Sequence, residues 1–165
     1  MVSFVILVLI CLLSNIFIIK KLERYEEYSP EQVNMEIESE DGYKYCILER
    51  DTGESIVSIL KYTGSEIEIE VPENIDGYKV AFIESACFAY NENIEKVIIP
   101  ETVEYMGPSV FGGCKKLNYV RMPESIEEAG QGLFLDTSDE LVVYCKENSY
   151  MHTYVQEQNY SFELY

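Results

Sequence analysis

The chain has 165 residues, room for one modest domain, and a formal net charge of −18 at pH 7. Lys20, Lys21, Arg24 and Glu23 sum to +2 within residues 1–24, so the remainder carries −20. A surface of that sign repels phosphate backbones and anionic headgroups, which argues against nucleic acid as a partner. There is no Trp but there are fourteen Tyr, whose apolar body and polar tip suit a half-buried sheet or a contact surface. The five Cys are odd in number and include no Cys-x-x-Cys pair, so neither a zinc ribbon nor a redox motif is expected.

Residues Val2 to Ile19 are apolar except for Ser3, Ser14 and Asn15. Eighteen residues at helical rise span roughly 27 Å, close to the hydrocarbon thickness of a bilayer. The expectation is a transmembrane or signal-anchor segment over 1–21, and a buried core helix is the alternative. A cleaved signal peptide is disfavoured, because no Ala-x-Ala-like site comes after the apolar run. The basic cluster Lys20, Lys21 and Arg24 favours a cytoplasmic location for the rest of the chain, by the positive-inside rule. Residues 22–41 are rich in Glu and poor in apolar periodicity, and read as an acidic linker holding the next domain off the membrane.

From Gly42 the pattern turns strand-like. Tyr43, Tyr45 and Ile47 alternate with Lys44, Cys46 and Leu48, Asp51-Thr52-Gly53 signals a turn, and Ser55 to Leu60 forms a return strand. A hairpin over 42–60 is therefore expected, placed to cap the first coil of the domain. Ile67, Ile69 and Val71 then alternate with Glu68 and Glu70, giving one apolar and one charged face. Asp76-Gly77 marks a further tight turn.

Between residues 80 and 145 one pattern returns every 23 residues. Phe88, Phe111 and Phe134 form one column, Val97, Val120 and Val143 another, and Val80, Val103 and Ile126 a third. Apolar residues locked to such a period mark a solenoid whose coils stack and share a core. Each coil reads as a short strand (Lys96 to Ile99, Tyr119 to Met122, Leu141 to Tyr144), a polar turn, and an apolar return through Val103 and Met106 or Ile126 and Ala129. A bend at Gly107 or Gly130 comes next, then a single helical turn carrying the Phe. Cys87, Cys114 and Cys145 fall in columns expected to be buried.

The stretches Val97-Ile98-Ile99-Pro100-Glu101-Thr102-Val103 and Val110-Phe111-Gly112-Gly113-Cys114-Lys115-Lys116-Leu117 resemble the BspA-like leucine-rich repeat family. Val120-Arg121-Met122-Pro123-Glu124-Ser125-Ile126 fits the same repeat, and the resemblance extends over about 42–165. Ala129, and the loop Asp136-Thr137-Ser138-Asp139, depart from the pattern. The resemblance implies a β-rich leucine-rich-repeat solenoid with short helical turns, here preceded by the transmembrane helix. It also implies adhesion or protein recognition at a microbial cell surface, which sets an extracellular location against the positive-inside rule. We adopt the extracellular expectation. At the end of the chain, Asn148-Ser149 caps a helix running to about Gln158, and Tyr160 to Leu164 reads as a closing strand, so 147–165 forms a helix-strand cap.

The sequence offers little for chemistry. His152 is the only His and lies in the capping helix, and no nucleophile elbow or phosphate-cradling loop is present. Asp136, Asp139 and Glu140 lack the spacing of a dedicated calcium loop. The expectation is a non-enzyme with no catalytic residue, metal, cofactor or small-molecule substrate. A contact surface is easier to place. Outward strand positions align as Glu68, Lys96, Tyr119, Val142 and as Glu70, Ile98, Arg121, Tyr144. Tyr and Arg are enriched at interface hot spots, so Tyr119, Arg121 and Tyr144, flanked by Lys96 and Ile98, are the candidate centre of a protein-binding face. The alternative is a structural envelope scaffold acting through self-association.

Overall fold

The computed structural model describes residues 36–165. The expected membrane segment, and most of the expected linker, lie outside the described residues. Among the described residues no helix is long and apolar enough to cross a membrane.

In chain order the elements are β1 (Ile37–Glu38), β2 (Tyr43–Glu49), β3 (Ser55–Tyr62), β4 (Glu68–Glu70), β5 (Asn74–Ile75), β6 (Tyr78–Ile83), β7 (Lys96–Ile98), β8 (Tyr105–Met106), β9 (Tyr119–Arg121), β10 (Glu128–Ala129), β11 (Val142–Cys145), α1 (Tyr150–Glu157) and β12 (Phe162–Leu164). They build a solenoid with two sheets. The first is parallel and runs β4-β7-β9-β11-β12. Its register brings Ile69, Val97, Val120, Val143 and Phe162 into one inward row. The second runs β1-β2-β3-β6-β8-β10, with β5 paired to β6. Val103 and Met106, read from sequence as an apolar return, and Val80 of the same repeating column lie on or beside its parallel strands β6 and β8, buried completely.

Two turns form as their sequences dictate. Gly53 in the β2–β3 hairpin has φ +81°, and Asp76 and Gly77 between β5 and β6 have φ +53° and +82°. The second is a two-residue hairpin turn of the kind that needs positive φ at both central positions. Its small hairpin explains why β4 leads β7 by more than one 23-residue step: Ile69 to Val97 is 28 residues.

The core is one contiguous apolar cluster along the solenoid. Its spine is aromatic. Phe88 and Phe111 stack with centroids 5.4 Å apart and planes within 15°, and Phe111 and Phe134 at 5.5 Å within 2°. Tyr62 continues the column at one end, 5.5 Å from Phe88, and Tyr160 closes the other, edge-on to Phe134 at 5.3 Å. Cys46, Cys87, Cys114 and Cys145 are free and buried, and burial pushes each thiol upward from its ordinary pKa.

The turn carrying each Phe is not helical, against the sequence expectation. Its N–H groups point to the next coil: Phe88 N donates to Val110 O at 2.9 Å, and Phe111 N to Leu133 O at 2.9 Å. Each turn is bracketed by left-handed residues in register. Ala86, Ser109 and Gly132 open it with φ of +56°, +55° and +65°, while Tyr90, Gly113 and Asp136 close it at +59°, +76° and +60°. A helix cannot propagate through such positions. Gly107 and Gly130 also serve a purpose other than a bend. A Cβ at Gly107 would lie 2.4 Å from the Ser85 nitrogen, and one at Gly130 would lie 2.3 Å from the Pro108 nitrogen. Glycine here lets one coil's backbone touch the previous one.

The hairpin is apolar on both faces. On the side of the second sheet away from the main core, Cys46, Leu48, Ile56, Ala81, Phe82 and Tyr105 form a second buried cluster. Beside it Ser58 Oγ donates to the buried Glu84 carboxylate at 2.9 Å. At the other end, α1 is capped by Ser149, whose side chain accepts from His152 N at 3.1 Å. Its tyrosines satisfy the free edge of the last coil. Tyr154 Oη donates to Gly130 O at 3.0 Å and accepts from Leu133 N at 3.2 Å, and Tyr150 Oη accepts from Ala129 N at 3.3 Å.

Candidate functional site

The outer side of the first sheet is set by strand alternation. Each of its first four strands buries a central residue (Ile69, Val97, Val120, Val143) and turns its neighbours outward. Parallel pairing then aligns Lys96 with Tyr119 and Val142, and Ile98 with Arg121 and Tyr144. All five residues singled out from sequence therefore share one face. Lys96, Ile98, Tyr119 and Tyr144 are half-buried there, and Arg121 is exposed.

The face is ordered by its own contacts. The Tyr119 and Tyr144 rings stack with centroids 4.5 Å apart. Lys96 Nζ lies over the Tyr119 ring at 5.7 Å and hydrogen-bonds Glu68 at 2.8 Å. That hydrogen bond, and the Glu68 charge, hold the Lys96 ammonium above its usual range. Desolvation, and after it the nearby Glu163 carboxylate, pushes the Tyr144 phenol upward. Arg121 does not join the tyrosine stack. Its guanidinium sits 4.4 Å over the ring of Tyr165, whose hydroxyl donates to Met122 O at 2.9 Å.

Glu163 and Tyr165 are members of this face that the repeat columns do not reveal. β12 joins β11 with Phe162 against Val143, an offset of 19 residues rather than 23. The intervening helix breaks the period, so no column extends to the C-terminus. The signal that remains is the closing strand itself, whose alternation puts Glu163 outward once Phe162 is taken as the inward residue.

His152 is engaged structurally. Its Nδ1 accepts from Asn148 N at 3.1 Å, and its ring lies 5.3 Å from Phe162. Asp136 is paired with Lys115 on the surface. Among the described residues no group of three or more His, Cys, Asp or Glu is placed to hold a metal ion.

The repeat geometry agrees with comparison to known proteins. Six copies of the BspA type leucine rich repeat region match residues 44–163. The chain belongs to the BspA-type leucine-rich repeat family. Two solved leucine-rich structures are similar to it. A Treponema pallidum leucine rich repeat protein is 21% identical over 68% of this chain and 55% of its own, with a TM-score of 0.54. A leucine rich cell surface protein of Faecalibacterium prausnitzii is 25% identical over 66% of this chain and 30% of its own, with a TM-score of 0.56. The BspA-type chain thus spans about half the length of one relative and under a third of the other. No curated protein matches it.

Proposed function

We propose that this protein is a membrane-anchored, non-catalytic recognition or adhesion module, held outside the cell by its N-terminal apolar segment. Its partner is a protein, bound across the outer side of the first sheet. The observation that carries this reading is the pre-ordered ladder on that face: the Tyr119–Tyr144 stack, with Lys96 over one ring and Arg121 over Tyr165. Rigid aromatic and Arg side chains give contact area at low ordering cost, which is what hot spots require. The family, and the surface description of the Faecalibacterium relative, favour exposure to the exterior.

Two experiments test the reading. Protease added to intact cells should cut the repeat domain, and full protection would refute the outside location. Captures from host- or neighbour-cell surface extracts should be compared between wild type and the pair Tyr119→Ala with Arg121→Ala. The bound proteins should fall at least about tenfold, a loss that even one lost hot spot exceeds. Identical captures would exclude this face.

A further inference from the structure

The first sheet has an open edge at β4. In a parallel sheet, a residue's N–H and C=O point to the same neighbouring strand, and successive residues alternate. Ile67 O accepts from Lys96 N, and Val71 N donates to Ile98 O, so the odd positions of this segment face β7. The backbone groups of Glu68 and Glu70 therefore point the other way, and among the described residues no strand pairs with that side. In every later coil the equivalent position is occupied by the preceding strand. A groove of about 300 Å³ runs along this edge, floored by Tyr43, Tyr62, Ile69 and Pro72. Its rim is acidic, formed by Asp41, Glu66, Glu68 and Glu70. Glu68 is paired with Lys96, but among the described residues Asp41, Glu66 and Glu70 form no ion pair.

From this geometry we infer that the β4 edge receives an extended, Lys- or Arg-bearing segment of a partner protein as an added strand. The edge supplies main-chain donors and acceptors, the tyrosine floor takes alternate apolar side chains, and the carboxylate rim pairs with the cationic ones. Charge selects this occupant over a second copy of the chain. Two β4 edges laid together would bring Glu66, Glu68 and Glu70 of one copy against the same residues of the other, and opposed like charges destabilise strand pairing. This edge adjoins the tyrosine face through the Glu68–Lys96 pair, but the inference stands on the open backbone and the acidic rim and does not rest on that reading.

The test uses the full chain in mild detergent and a fluorescent peptide of alternating Lys and Val, with anisotropy as the readout. Two control peptides accompany it: one with Glu in place of Lys, and one with the same charge but alternate backbone nitrogens methylated. The Lys-Val peptide should bind, and the Glu peptide should not. The methylated peptide should bind about tenfold more weakly, because the strand hydrogen bonds are lost while the charge is kept. Glu68→Lys with Glu70→Lys should abolish binding while leaving the melting temperature within a few degrees of wild type. Equal binding of the methylated and unmethylated peptides would overturn the added-strand proposal in favour of simple charge attraction. Absence of binding would overturn it as well. Binding that emerges only after Lys20, Lys21 and Arg24 are changed to Ala would assign the edge to the chain's own basic cluster, again overturning the proposed partner.

Discussion

Replacing Phe111 by Ala probes the stacking of coils most sharply. Its side chain is fully buried, between Phe88 at 5.4 Å and Phe134 at 5.5 Å. Truncation of a buried Phe costs about 3–5 kcal/mol through lost transfer energy and the cavity left behind. Two aromatic pairs are lost with it, each worth about 0.5–1.5 kcal/mol beyond area. The sum is about 4–8 kcal/mol. For a domain of this size it corresponds to roughly 16–32 °C in melting temperature, at about 4 °C per kcal/mol. Urea denaturation monitored by circular dichroism gives the free energy directly. Phe111→Leu is the companion variant, since it keeps most of the volume and removes the ring. A double-mutant cycle of Phe88→Leu with Phe111→Leu should then report a coupling of about 1 kcal/mol. A loss below about 1 kcal/mol for Phe111→Ala, or a coupling of zero, would refute the reasoning that the coils are held by a shared aromatic spine.

Three further outcomes are expected. Ala86→Gly relieves an exposed left-handed residue at φ +56° and should raise stability by about 0.5–1 kcal/mol, after the extra freedom of Gly in the unfolded chain is subtracted; a lower urea midpoint would contradict the presence of strain there. Tyr154→Phe leaves Gly130 O and Leu133 N without their partner and should cost about 1–3 kcal/mol, whereas Tyr150→Phe, with longer and exposed contacts, should cost less than about 0.5 kcal/mol; equal losses on urea denaturation would deny Tyr154 its capping role. Burial alone would raise the Glu104 carboxyl, but Lys79 at 2.6 Å and Arg50 at 2.5 Å outweigh it and hold the group below its ordinary value of 4.5. Its stabilisation is therefore complete above that value and lost as pH falls through the lower folded one, so Glu104→Gln should flatten the acid limb of a stability–pH curve, and an unchanged limb would refute the pairing.

The parts of the fold legible in the sequence are those where one residue type meets one physical demand. The Phe column, the inward Val row and the Asp76-Gly77 turn are of that kind, because burial at a fixed period and positive φ leave little choice of residue. The turns carrying the Phe read as helical and are not. Their left-handed positions are filled by Ala86, Ser109 and Tyr90 as well as by glycine, so composition does not reveal them. Gly107 and Gly130 read as bends, since close approach between coils leaves no mark on a single coil. The second apolar cluster is also hidden. Leu48 and Ile56 break the simple alternation of a one-sided hairpin, and only the sheet, which brings Phe82 of β6 beside them, shows that both faces are covered. On the candidate face, the columns of Lys96, Ile98, Tyr119, Arg121 and Tyr144 are readable because the period fixes their register. Tyr165 is not, because the 19-residue step into β12 is set by a helix whose length no repeat dictates.

The proposed recognition face is the outer side of the first sheet. A photo-crosslinking amino acid placed at Val142, in the outward column beside Tyr119, should yield a discrete adduct on intact cells or with captured partner. The same group at Tyr90, 80% exposed and outside the strands of that sheet on the turn that carries Phe88, should not. Adducts from Tyr90 but none from Val142 would contradict the proposal.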